Sequence, residues 1–600
     1  MKRNRLIRLI LSITALVLTV CMVSSCGIFN IIANYVITAM TATGPVDFNT
    51  VEYKRPDFKK IHDAFDDFLI DIKSGKTGLA LQMTLSEAYM LFNDAQTQYN
   101  VAEIMCYNDV NDTAAKEESE YCAEEFAKLQ AKLTEVYSAI VEYNQSADLL
   151  PGWTDADFAR LKVQEKLFDD EYIEISAEIA KLQTDYMEAS ANITVTHQGN
   201  SYSIDEIVEM VQTGELSYSQ YTSLVSNYYQ KLSTEVTPLY LKLVKLNNRI
   251  AEKAECESYQ EYAYKYEYSR DYLPEDITKV YNFVKQYMPN YYKEAVDSIN
   301  SEVLGTLYEK SYSINEYKTI FNSYFATISS DMRDAFTFMQ KYNLYSIGNE
   351  KGMQQAGFTT YLPSYEMPYI YLYFQGTIDD VSSFVHEFGH FYAFYKNNFE
   401  SDSIIDVSEI HSQANELLFL SSYDITPEQR ANYTLSKLAD MFTTIIDGCL
   451  MDEFQAYVHK NIDSIENAND LNAAFENIAQ TYNYDVFDMI IPYKYIWAAI
   501  PHNFVAPFYY ISYAMSALPS IEIFSIAQEN RADAIKIYRN VLDETSYRPY
   551  LTVLEANNLS TPFEEKTYQN LESLFSMVKP MSYVITTVFP KPYSFLGLAA

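Results

Sequence analysis

The stretch that most constrains this chain runs from Gly376 to Asn397 and reads GTIDDVSSFVHEFGHFYAFYKN. It predicts a helix, because Thr377 can cap the first turn, Asp380 can close a capping box, and Val381, Phe384, Val385 and Phe388 recur at helical intervals. On such a helix His386 and His390 lie one turn apart on one face and can both reach a single zinc ion. Glu387 projects to the side where a water activated by that ion would lie. The pattern points to metal-assisted hydrolysis, provided the rest of the chain supplies a third ligand and a surround for substrate.

A chain of 600 residues, 48% hydrophobic, can build several lobes around large cores and still leave a deep cleft. Glycine is scarce at 15, and long runs mix Ala, Leu, Glu, Lys, Gln and Tyr, so a mostly α fold is expected. The 55 tyrosines read as half-buried packing groups with wet hydroxyls. The net charge of −37 repels phosphate backbones, which excludes nucleic acid as a partner and holds the body off an anionic membrane surface.

Residues 1–25 open with Lys2, Arg3, Arg5 and Arg8 and continue as an apolar, uncharged run, the pattern of a secretory signal. Val23-Ser24-Ser25-Cys26-Gly27 resembles the lipobox of bacterial lipoproteins, which implies lipidation of Cys26. Residues 26–50 then read as anchor and linker. They stay apolar where lipoproteins turn polar, so a retained membrane helix is the alternative. Either anchor places the body outside the cytoplasm. Cys106, Cys122, Cys256 and Cys449 match no metal or redox spacing and give no reason to expect a disulfide.

Residues 51–200 show apolar positions at three- and four-residue intervals, broken at Pro151-Gly152, and predict an N-terminal helical lobe. Ile193 to Ile204 alternates around Gln198-Gly199-Asn200 and predicts a hairpin. Residues 201–600 form the catalytic region, where Pro274, Glu275 and Asp276 mark a helix start. Pro368 to Phe374 predicts a short strand beside the His386 helix, and Pro363 and Pro368 assign it to an edge, where a peptide could pair.

The next polar stripe lies in DVSEIHSQANELLFLSSY. Glu409 is the expected third ligand. His411 competes by chemistry but points roughly 200 degrees around the helix, so only one of the two can face the site. Glu416, two turns beyond Glu409 on the same face, could orient a ligand histidine through its other ring nitrogen.

The HEFGH helix, the preceding Gly-Phe, Pro-Tyr-Ile and Gly-Thr-x-x-Asp-Val segments, the helix opening Glu409-Ile410-His411-Ser412-Gln413, and WAAIPHNFVAPFYYISYAMSAL from Trp497 to Leu518 together resemble the thimet oligopeptidase and oligoendopeptidase F group of zinc metallopeptidases. The resemblance implies a two-lobed helical fold with a deep substrate channel and one zinc ion held by His386, His390 and Glu409. It also implies Glu387 as general base, and short unstructured peptides as substrates. His502 and tyrosines of PFYYISY would stabilise the oxyanion. Tyr510 and Tyr513 share a helical face and are the expected pair, with Tyr509 able to replace Tyr510. Two other readings stand beside this endopeptidase: a carboxypeptidase of similar helical build, and a non-catalytic lipoprotein that captures peptides.

Overall fold

Helical periodicity is realised along most of the chain, and the computed structural model describes residues 44–143, 167, 170–396, 404–487, 491–544 and 548–578. The signal-like segment, Cys26 and the Pro151-Gly152 break lie outside them. Among the described residues no helix is long and apolar enough to cross a membrane.

Three helices, α1 (Phe58–Lys73), α2 (Leu79–Asn108) and α3 (Thr113–Glu142), pack on one another around a core of their own. The side chains of Asp57 and Asp112 cap α1 and α3 by accepting from Lys60 N and Ala115 N. Phe58, Ile61, Phe65 and Phe68 recur every three or four residues, so α1 presents one aromatic stripe inward. The second half of α2 leaves this core for a sheet: Asn100 Nδ2 donates to the Tyr361 carbonyl at 2.6 Å, and Tyr371 OH donates to the Tyr107 carbonyl at 2.6 Å.

The expected hairpin forms from β1 (Val195–His197) and β2 (Asn200–Tyr202). Its two turn residues, Gln198 and Gly199, both have positive φ, the conformation that matches the twist of a tight hairpin. Helix α4 (Tyr218–Lys253) follows. Helix α5 (Pro274–Ser298) starts at the predicted proline, with Asp276 accepting from Leu273 N.

The sheet next to the site has three strands, β3 (Tyr345–Gly348), β4 (Gly357–Leu362) and β5 (Met367–Tyr373), in the order β3-β5-β4. This corrects the edge assignment of Pro368 to Phe374, because β5 is the central strand. Proline is tolerated there because the parallel β3 ladder begins only at Ile370, so Pro368 lies before any donor is needed on that side. The edge strand is β4, antiparallel to β5.

The large core is built from α6 (Ile378–Lys396), α7 (Ile405–Phe419), α8 (Pro427–Asn461), α9 (Ile511–Glu529) and α10 (Arg531–Glu544). The helix Asp170–Ala191 also contributes Ile175, Leu182 and Tyr186 to it. Many of the tyrosines expected to be half-buried are fully buried. Several of their hydroxyls donate to buried carbonyls: Tyr538 OH to His411 O, Tyr550 OH to Met515 O and Tyr268 OH to Pro507 O. All four described cysteines are free thiols.

Candidate metal centre

Helix α6 starts as its residues dictate. Thr377 N donates to Asp380 Oδ2 at 2.8 Å and Asp380 N to Thr377 Oγ1 at 3.2 Å, a reciprocal cap. Val381, Phe384, Val385 and Phe388 are all buried, and the Phe388 ring stacks on Phe325 with centroids 4.1 Å apart. One face being locked in the core, the other presents His386, Glu387 and His390.

Helix α7 crosses α6 at Gly389. A Cβ built on Gly389 would stand 2.5 Å from the His411 carbonyl oxygen, so only glycine allows the two backbones this close. The crossing brings Glu409 Oε2 to 3.7 Å from the Nε2 atoms of both His386 and His390. The three ligand atoms lie within 4.8 Å of one another, leaving room for an ion about 2 Å from each. The donor set suits a divalent metal. His386 Nε2 is buried with no hydrogen-bond partner among the described residues, and burial and the charges of His386 and His411 hold His390 neutral, its pKa pushed well below the usual histidine value. The ligand atoms that come together are those of His386, His390 and Glu409, and His411 is not among them; its carbonyl accepts from Tyr538 OH of α10.

Glu416 occupies the orienting position. Its Oε1 lies 2.7 Å from His386 Nδ1, its Oε2 accepts from Ser382 Oγ at 2.7 Å, and Lys437 Nζ of α8 stands 2.8 Å from the same Oε2. Burial works against ionising Glu416, but the Lys437 ammonium and His386 outweigh it and hold the carboxyl well below the usual range. Burial likewise opposes charge on His386, and the Glu416 hydrogen bond reverses this, raising it to about 9. A cation held at Nε2 would take the place of that proton, and Glu416 would then accept from Nδ1–H and fix the ring. Glu409 is steadied by Ser412 Oγ, 2.9 Å from its Oε2.

Glu387 is buried and pushed up to about 7 by desolvation, partly offset by His386 and by Thr359. Thr359 Oγ1 of edge strand β4 lies 2.7 Å from Glu387 Oε2. A carboxyl whose burial raises its pKa is suited both to take and to return a proton.

The three tyrosines differ in the charges nearest them. Burial and the Glu409 carboxylate push the Tyr509 phenol up; burial, Tyr509 and Glu409 do the same to Tyr513; Tyr510 is raised instead by burial and Asp447. The Tyr509 and Tyr513 ring centroids are 5.5 Å apart and those of Tyr510 and Tyr513 5.3 Å, and the Tyr510 carbonyl lies against Gly448 of α8. The turn before them is irregular: Phe508 has φ +66, and its N–H is held by Gln455 Oε1 at 2.9 Å. That left-handed residue turns the chain just before the three tyrosines. His502 packs against the trio, 5.4 Å from the Tyr509 ring and 6.0 Å from that of Tyr513. Burial pushes it down to about 3, so it is a neutral donor.

Sequence reasoning missed Thr359, Ser382 and Lys437. Thr359 carried a weak signal in lying on a strand beside the histidine helix; Lys437 had none, being far along the chain on another helix.

Comparison with known proteins adds an independent finding. The profile described as "Peptidase M3 N-terminal domain" matches residues 48–168, and that described as "Peptidase family M3" matches residues 210–572. Among solved structures, PZ peptidase A with an inhibitor superposes with a TM-score of 0.73 at 21% identity, over 88% of this chain and 98% of that one. A Bacillus anthracis protein described as an oligoendopeptidase F gives 0.71 at 21% identity over 89% and 98%. The oligoendopeptidase-F of Enterococcus faecium gives 0.56 at 12% over 87% and 97%. At these identities the likeness is one of fold. No curated protein matches the chain significantly.

Proposed function

Because the chain belongs to peptidase family M3, and is thus a metal-dependent peptidase, we propose that it is a zinc endopeptidase for short, unstructured peptides, acting outside the cytoplasm. The observation that carries the reading is the convergence of His386, His390 and Glu409 with an unpaired His386 Nε2 and with Glu387 alongside. The bound ion would supply Lewis-acid polarisation of the scissile carbonyl and acidification of water. Glu387 takes the proton of the attacking water and passes it to the leaving amine, with Thr359 Oγ1 holding its carboxylate in place. Tyr509, Tyr513 and His502, all neutral donors, stabilise the negative charge that develops on the carbonyl oxygen, and Tyr509 replaces Tyr510 in this role. As the edge strand, β4 offers the backbone groups of its Gly357–Thr360 part, short of the Tyr361 carbonyl that Asn100 occupies, to an extended peptide, recognition that ignores side-chain identity.

The basic start and uncharged run ahead of residue 44 support export, with Cys26 as the anchoring residue.

The test is hydrolysis of a quenched fluorescent peptide library by the wild type and by Glu387→Gln, with metal content measured on both. The reading requires internal cleavage by wild type, and a variant that holds zinc while losing about 100-fold or more in rate. Zinc-loaded wild type that cleaves no peptide overturns it. A Tyr509→Phe variant should lose on the order of 100-fold in kcat and Tyr510→Phe should not; the reverse order would restore Tyr510.

A further inference from the structure

Arg270 belongs to none of the groups described so far, yet its side chain has no exposure at all. The chain deforms to put it there. A π-helical turn spans Ala263–Glu267, Tyr268 N closes it onto Ala263 O at 2.9 Å, and Arg270 N reaches Tyr264 O at 2.8 Å. Between them Ser269, not a glycine, takes φ +53. π-Turns and left-handed non-glycine residues are both unfavourable, and they persist where the surroundings require them.

Once inside, the guanidinium lies over the Tyr264 and Tyr268 rings, 4.5 and 4.7 Å from their centroids. Its Nε is 3.4 Å from Asp406 Oδ1 and its Nη2 donates to Ser512 Oγ at 2.7 Å. Tyr272 OH donates to the other Asp406 oxygen at 2.7 Å, and Ser516 Oγ donates to the Asp406 carbonyl at 2.6 Å. Asp406 lies three residues before Glu409 in the first turn of α7. Ser512 lies between Tyr509 and Tyr513 at the start of α9, and Tyr268 OH holds the Pro507 carbonyl just before the strained Phe508 at 2.9 Å. One buried cation thus joins the ligand helix to the donor helix.

A purely structural explanation is weak, because a buried ion pair adds little net stability over apolar residues of the same size. What it adds is a fixed direction. We propose that Arg270 is a positioning residue for the peptidase reaction, setting the distance between the metal ligand Glu409 and the donor hydroxyls of Tyr509 and Tyr513. The proposal rests on the function proposed above.

The test uses the full chain as wild type, Arg270→Lys, Arg270→Met and Ser512→Ala, with three measurements: zinc affinity by competition with a chromophoric chelator, kcat and KM on a cleaved peptide, and thermal unfolding. Arg270→Lys keeps the charge but not the planar fork. It is expected to fold, to bind zinc ~10-fold more weakly, and to lose ~10–100-fold in kcat, with KM within about 3-fold of wild type. Ser512→Ala loosens only the donor side and should lower kcat with zinc affinity unchanged. Folded arginine variants with a lower Tm but wild-type zinc affinity and kcat would reduce Arg270 to a packing group and overturn the proposal. If Arg270→Met fails to fold, Arg270→Lys and Ser512→Ala decide. If wild type cleaves no peptide, the functional reading falls separately, and zinc affinity alone decides whether Arg270 sets the Glu409 helix.

Discussion

The N-terminal helices and the catalytic region are built from the same material and use charge in opposite ways. Around α1–α3 the ion pairs are peripheral: Lys128 reaches Glu124 and Glu125, and Arg55 reaches Glu118, over an apolar and aromatic core beside which α2 also buries the uncharged polar side chains of Asn93, Thr97 and Gln98. Around α6–α9 the charges are internal: Lys437 with Glu416, Arg270 with Asp406, and Asp447 and Asp452 in contact with tyrosine hydroxyls. Surface pairs leave geometry to the apolar core, and water screens them. Buried ones cost desolvation and in return impose one arrangement on the groups they touch. Function is therefore concentrated where burying charge is most expensive.

The sharpest way to break this contrast is at the helix crossing. Gly389→Val should force α7 off α6 and abolish stoichiometric zinc binding, since even a Cβ would overlap the His411 carbonyl; zinc titration of the folded variant checks this. Next comes Lys437→Met, which strands Glu416 in the core and should destabilise by about 3–5 kcal/mol in denaturant unfolding, with Glu416→Gln on top recovering part of the loss.

Asp447 gives a smaller, pH-dependent effect. Burial pushes its carboxyl up to about 8, against about 4 in an unfolded chain. The sign follows from the raised folded value: its contribution is whole below the unfolded pKa and is lost as pH rises through 8, because the folded state must then carry a buried charge. Asp447→Asn should therefore gain Tm relative to wild type progressively from pH 5 to pH 8 and level off above. A gain independent of pH would show that the carboxyl is not the titrating group. The smallest effect belongs to the surface: Lys128→Ala should leave Tm and activity unchanged, and a clear loss there would erase the distinction between the two regions.

How far the site was legible follows the range of each interaction. His386, Glu387, His390 and the Thr377–Asp380 cap were readable because each pairing, His386 with His390 and Thr377 with Asp380, spans about one helical turn. Glu416 was readable for the same reason, as a partner two turns from Glu409. Tyr509, Tyr510 and Tyr513 were readable as a group, and all three rings pack with His502 at 5.4, 5.1 and 6.0 Å; which hydroxyl faces a substrate depends on packing between helices, which periodicity does not carry. β5 was read as an edge because its prolines were visible, whereas the late start of the β3 ladder was not.

The sequence by itself determined the helical body, the register of the histidine pair and the candidate third ligand, since propensity, capping and periodicity act over a few residues. Tertiary structure alone decided that α7 would meet α6 at Gly389, that Lys437 would neutralise Glu416, and that Arg270 would turn inward to join two helices. Those outcomes depend on which faces pack across hundreds of residues. Close approach, desolvation and hydrogen-bond geometry there act only once the chain has folded.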